Sequence, residues 1–160
     1  IRRGIPEVAI RTTMIVGFPG EKEEDVDELM GFVEEMRFDR LGVFTYSDEE
    51  DSAAYPLEEK VSEDVKKDRQ KRLMELQAGI SREKNSQMIG KCFPVLVEGL
   101  SKESDLLWEG RLSTQAPDID GVVYLNDGVS EETRPGDILP VRITEAHEYD
   151  LVGAVQCLVP

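Results

Sequence analysis

The chain is poor in the residues from which most metal and redox sites are built. It has two cysteines, Cys92 and Cys157, no CxxC or CxxxCxxC spacing, and a single histidine, His147. A thiolate zinc or iron–sulfur site needs several such ligands close together, so these cysteines cannot assemble one by themselves. Two reduced, buried thiols are the expectation. No stretch approaches the run of about 18 apolar residues that spans a bilayer. The opening IRRGIPEVAI also lacks the basic, apolar and small-residue blocks of a signal peptide. The chain therefore reads as a soluble cytoplasmic protein without a membrane partner. GxxxxGK[ST] and GxGxxG are both absent, which removes the common nucleotide-phosphate loops.

Basic residues are scarce where a nucleic acid would need them. The formal net charge is −15, and residues 91–160 hold 5 basic against 13 acidic residues. Phosphate binding draws its affinity from clustered Lys and Arg, so that half of the chain is a poor partner for RNA. A basic protein is a better one.

What is present divides into two textures. Residues 8–16 end in the apolar run Met14, Ile15, Val16, which reads as a parallel strand covered on both faces. From about residue 21 to 36, Val26, Leu29, Met30, Val33 and Met36 recur three or four apart, one stripe of a helix. LGVFTY, residues 41–46, is a second strand, and the βαβ unit forces a parallel pair. A long charged helix follows from a Ser62 N-cap to about Met88, with a narrow apolar stripe at positions 65, 73, 76, 80 and 88, stopping at Gly90. Beyond it lie five short strands separated by turns such as NDG and PGD. They predict a small closed or nearly closed antiparallel barrel, with Pro94 and Pro140 at edges or bulges. The fold class is thus an α/β fragment, a connecting helix and an all-β five-stranded OB-like barrel, over residues 1–60, 61–90 and 91–160.

The stretch GFPGEKEED joins the first strand to its helix. Pro19 removes a backbone donor, and Glu21, Glu23, Glu24 and Asp25 fill the turn where an anion would sit, so it is not a phosphate cradle. It is either a tight strand-to-helix turn or a place where an uncharged part of a ligand meets the backbone at the C-terminal end of a parallel strand.

The succession TTMIVGFPGE, FDRLGVFTYS, RQKRLMELQ, EGRLSTQAPDIDGVVYLNDG and ITEAHEYDLVGAV resembles the methylthiotransferases of the radical S-adenosylmethionine superfamily, across essentially the whole chain. It is most similar to the RimO-type branch, which modifies a ribosomal protein. The resemblance implies a C-terminal fragment carrying the last βαβ part of a partial TIM barrel and a TRAM barrel, and the start at Ile1 reads as a cut end. It implies S-adenosylmethionine and two 4Fe-4S clusters as cofactors of the full-length enzyme, with the cluster ligands outside this chain, so that the fragment alone is inactive. It implies a substrate, protein twelve of the small ribosomal subunit or the ribosome assembling around it, methylthiolated at an aspartate β-carbon. It also implies that Ile15, Val16 and Gly17 line the adenine of S-adenosylmethionine and that Phe44 and Tyr46 approach the same cleft, although core packing explains Ile15 and Phe44 equally well. No residue of this chain is assigned a catalytic or metal-binding role.

The chain departs from the family pattern at Lys22, where a Thr could have capped the helix, and at Asp51-Ser52 in place of Gly-Thr. The acidic run from Asp48 to Asp51 stands where tRNA-modifying relatives tend to carry Arg-Pro-Gly-Thr, which favours a protein substrate. Two alternatives stay open: a tRNA methylthiotransferase with an RNA-binding barrel, and a stand-alone β-barrel interaction module. His147 reads as a surface residue, Trp108 and Tyr124 as packing or protein contact, and Arg111 and Asp120 as partners across the barrel.

Overall fold

The computed structural model describes residues 1–6 and 8–156; Cys157 lies outside them. The chain divides into two compact units, one of Ala9–Ile80 and one of Ile1–Val8 with the residues from Ser81 onward.

In the first unit, β1 (Arg11–Val16) and β2 (Arg40–Thr45) form a two-stranded parallel sheet joined through α1 (Glu23–Met36). Its core gathers Val16, Val33, Phe38, Leu41, Val43, Leu73 and Ile80, packed by Leu29, Met30 and Met36 from the stripe of α1. The other face of the sheet is open. Ile15 and Phe44 stand opposite one another in the register and are 59% and 61% exposed. The strand expected to be covered on both faces is covered on one. An apolar run does not say which of its alternate side chains find a neighbour, and here only the even-numbered side of β1 does.

The long helix α2 (Glu63–Ser86) departs from its expected stripe. Val65 is exposed, whereas Lys66, Arg69, Leu73, Gln77 and Ile80 are all buried. Three of the five are polar, and each reaches a hydrogen-bond partner. Lys66 Nζ donates to the Tyr46 carbonyl at 2.9 Å, Gln77 Nε2 to the Phe38 carbonyl at 3.0 Å, and Arg69 Nη1 to the Glu21 carbonyl at 3.3 Å. Half-buried Gln70 donates to the carbonyl of Val43 at 2.7 Å. Residues of a parallel strand turn both backbone groups to one neighbour, in alternation. Tyr46 N–H donates to Val16 O, so Val43, of the opposite parity, turns its carbonyl to the unpaired edge, where Gln70 meets it.

The second unit is a closed barrel of β3 (Cys92–Ser101), β4 (Ser104–Arg111), β5 (Val123–Asp127), β6 (Ile138–Ala146) and β7 (Leu151–Val155), in the order β3-β4-β5-β7-β6. Every pairing is antiparallel except β5 with β7, which is parallel, so the expected all-antiparallel barrel is a mixed one. The parallel contact follows from closure: β7 slots between β5 and β6, and only its hairpin partner β6 can meet it antiparallel through a short loop. Val95, Val97, Val123, Leu125, Val141, Ile143 and Leu151 fill the interior. Pro94 and Pro140 face each other directly within the β3–β6 ladder, where a closed barrel has no edge. Each nonetheless lies just past the end of its other ladder, because β4 pairs with β3 from Leu96 and β7 with β6 from Val141, with Gln156 N–H still donating to the Pro140 carbonyl at 2.9 Å. The missing N–H is therefore not needed there. Cys92 is exposed, contrary to the expectation of a buried thiol, because β3 alternates and Phe93 takes the inward place beside it. Among the described residues no helix is long and apolar enough to cross a membrane.

Leu73 is fully buried at the centre of the first core. Leu73→Ala is expected to lower the stability of the Ala9–Ile80 unit by about 2–5 kcal/mol, read from hydrogen exchange of the β1 and β2 amides. A loss below about 1 kcal/mol would contradict this packing.

Candidate functional site

The C-terminal ends of β1 and β2 carry the residues singled out from the sequence. FPGE is a β-turn in which Glu21 N–H donates to the Phe18 carbonyl at 2.9 Å. Pro19 sits at its second position and Gly20, with φ +85°, at its third, the pattern of a type II turn. The Glu21 carboxylate then closes the loop from within. It accepts from Gly17 N–H at 2.8 Å and from Arg69 Nη1 at 2.6 Å, an ion pair whose side chains are nearly buried. Breaking such a pair from one side is expensive, because the charge left behind is neither solvated nor paired.

Gly17 has φ +79°, and a Cβ built on it would stand 2.3 Å from Cγ of Lys66. The glycine thus makes room for the buried stem of a lysine from α2. Lys66 spends its charge on the Tyr46 carbonyl and on Glu63, 2.7 Å away, and its Nζ lies 5.5 Å from the centre of the Tyr46 ring. Lys60 approaches the same ring at 5.7 Å and Tyr55 at 5.6 Å. Lys60 also pairs with Asp48 and donates to the Tyr55 carbonyl at 3.0 Å, tying down the loop after β2. Its hydrogen bond holds the Asp48 carboxyl below the usual carboxylate range, with Tyr46 and the charge of Lys66 acting in the same direction. Phe18 packs edge-on against Tyr46, with ring centres 5.3 Å apart.

The five residues expected to meet a nucleoside therefore have different surroundings. Ile15 and Phe44 share the open face of the sheet, Tyr46 is half-buried among Phe18, Lys60 and Lys66, and Gly17 is filled in by Lys66. The Val16 side chain is fully buried in the core, which leaves only its backbone for any ligand.

The acid run after the turn has partners that spacing alone could not reveal. Lys22, at the N-cap, uses its backbone N–H to reach the Asp25 carboxylate at 2.8 Å, and its side chain caps nothing. Arg72 pairs with Glu23 and with Asp27, and this contact lowers the pKa of Glu23. The basic RQKR of α2 thus faces the acidic start of α1.

On the barrel, the acidic residues are all at the surface, half-buried or exposed where described. Arg111 pairs with Glu98 at 2.9 Å, while the Asp120 carboxylate accepts from Ala116 N–H at 2.7 Å. Arg134 and Arg142 donate to nearby backbone carbonyls. His147 is exposed in the loop between β6 and β7, and its carbonyl accepts from Asn85 at 3.0 Å. Among the described residues no three His, Cys, Asp or Glu side chains group to hold a metal ion.

Residues 89–155, which include the small closed barrel with its acidic exterior, match the family model of the TRAM domain. Over 97% of its length the chain is 57% identical to the "Ribosomal protein uS12 methylthiotransferase RimO" of Solibacter usitatus, covering 33% of that protein. It is 51% identical over 98% of its length to the protein of the same name in Pelobacter propionicus, covering 34% of it, and 52% identical over 96% to that of Koribacter versatilis, covering 31%. The chain spans about a third of the length of these relatives. It is related along nearly its whole length to the RimO-type methylthiotransferases.

Gly17→Ala is expected to destabilise the Ala9–Ile80 unit by about 2 kcal/mol or more, through the positive φ and the collision with Lys66. Combined with Lys66→Ala, the losses should be less than additive by about 1 kcal/mol, since the collision is then removed. Strictly additive losses in urea unfolding would contradict the contact.

Proposed function

We propose that this chain is part of an enzyme that installs a methylthio group on the β-carbon of an aspartate in the small-subunit ribosomal protein uS12, in the bacterial cytoplasm. The single observation that carries the reading is the 50–57% identity to RimO-type proteins that runs through both units of the chain, from the parallel sheet to the barrel.

In this reading the barrel recognises the substrate. Its surface carries 13 acidic against 5 basic residues, which complements a basic ribosomal protein and opposes an RNA backbone. The open face of the sheet supplies the wall of a cofactor cleft. Ile15 and Phe44 present adjacent apolar surface of the kind that an adenine ring covers, Tyr46 stands at the end of the same strand, and the backbone of Val16 and Gly17 runs beside them. S-adenosylmethionine, when bound, supplies the radical that abstracts hydrogen and the methyl group. The residues of this chain orient and shield it. The 4Fe-4S clusters do not fit the described residues, which offer one cysteine and no ligand group, and the chain is inactive by itself.

A tRNA methylthiotransferase is the rival reading. The purified chain, immobilised and challenged with uS12 and with tRNA, is expected to retain uS12 at low ionic strength, to release it as salt rises, and to let tRNA pass. Tight tRNA binding, or no retention of uS12, would overturn the proposal.

A further inference from the structure

The outside of the barrel carries one transverse row that its core does not explain. Glu109 on β4 stands opposite Tyr124 on β5, Tyr124 opposite Val152 on β7, and Val152 opposite Glu145 on β6. Their chain neighbours Gly110, Val123, Leu151 and Gly153 are buried, so alternation places the whole row on the outer face. The row has an aromatic and a valine at its centre, both half-buried, and a glutamate at each end.

More carboxylates surround that centre. Glu103, in the β3–β4 hairpin, and Asp150, in the β6–β7 loop, lie close enough to act on the Tyr124 phenol. Burial pushes the phenol pKa up, and the charges of Asp150, Glu103 and Glu109 push it the same way. The ring therefore stays neutral and its face stays electron-rich. Asp150 is fixed by accepting from Val122 N–H at 2.9 Å. The arginines that could have neutralised this face are occupied elsewhere: Arg111 by Glu98, Arg82 by Glu148, and Arg142 by the Gly90 carbonyl and Gln156.

We infer that this row, centred on Tyr124 and bounded by Glu103, Glu109, Glu145 and Asp150, is the docking surface for a Lys/Arg-rich protein segment. The inference rests on the reading that the barrel meets a basic protein, and it says where. An apolar aromatic centre inside a charged rim is the anatomy of a protein interface, since the centre can be dried while the rim steers. A guanidinium or ammonium stacked on the Tyr124 ring gains cation–π energy, and its neighbours along the segment find the four carboxylates. OB-like barrels use the face of their second and third strands, here β4 and β5, for oligonucleotides. With carboxylates in place of lysines, that face repels phosphate and accepts its opposite.

The experiment measures binding of a synthetic Lys/Arg-rich peptide to the 160-residue chain at low ionic strength. Two pairs of substitutions remove equal charge: Glu109→Gln with Glu145→Gln in the row, and Glu131→Gln with Glu132→Gln in the exposed loop after β5. The row pair is expected to weaken binding about tenfold and the loop pair by less than about twofold. Tyr124→Leu should weaken it about threefold and Tyr124→Phe hardly at all. Glu→Gln changes at these surface positions keep shape, and unchanged circular dichroism of each variant keeps the comparison valid. Equal losses from both pairs would overturn the row while leaving a generally acidic barrel that binds basic protein. Failure of the unsubstituted chain to bind the peptide, or preference for a single-stranded oligonucleotide, would overturn the basic-partner reading and the row with it.

Discussion

A two-stranded parallel sheet does not persist in water unless something answers the backbone groups along its open edge, and in this chain the answer is a helix whose buried face is polar. Lys66, Arg69, Gln70 and Gln77 of α2 each donate to a carbonyl or carboxylate of the β1–α1–β2 unit. The donors are charged or amide groups, and buried carbonyls left without them would each cost on the order of 1–3 kcal/mol. The contact also fixes local shape. The stem of Lys66 occupies the space beside Gly17, and Arg69 holds the Glu21 carboxylate that closes the turn, so the end of β1 is packed and tied from α2. With the helix packed on the edge and on one face, the other face, with Ile15 and Phe44, is left uncovered.

The barrel follows a different economy. Its interior is aliphatic and closed, its ladder leaves no long edge to aggregate, and the prolines pair with each other just past the ends of the flanking ladders. Stability therefore asks nothing of the outer surface, and the acidic residues collect there. A surface that need not hold the fold together can be shaped by what it meets. Sequence similarity to proteins named for uS12 methylthiolation runs through both units of the chain.

Much of this could be read in advance, and the parts that could not share a cause. The period of α1, the parallel strands and the five barrel strands are written in local apolar spacing, and each lies within a few residues of where spacing put it. The family was legible in stretches such as FDRLGVFTYS. The buried face of α2 was not, because lysine, arginine and glutamine read as solvent-facing unless their backbone acceptors are known. For the same reason the sequence left Gly17 open between a tight turn and a ligand contact, because the side chain beside it belongs to a lysine almost fifty residues away in sequence. The parallel β5–β7 pair was hidden because strand order is a property of closure. The choice between core and cleft for Ile15 and Phe44 stayed open in the sequence, because an apolar run does not declare which face goes uncovered.

The central claim is that this acidic barrel belongs to an enzyme whose substrate is a ribosomal protein. Its most direct test is mass spectrometry of uS12 and of tRNA nucleosides from cells deprived of the protein that contains this chain and then resupplied with it. The account predicts one methylthio group gained on an aspartate of uS12, with the tRNA unchanged. Unmodified uS12, or a methylthio group appearing on tRNA instead, would contradict it.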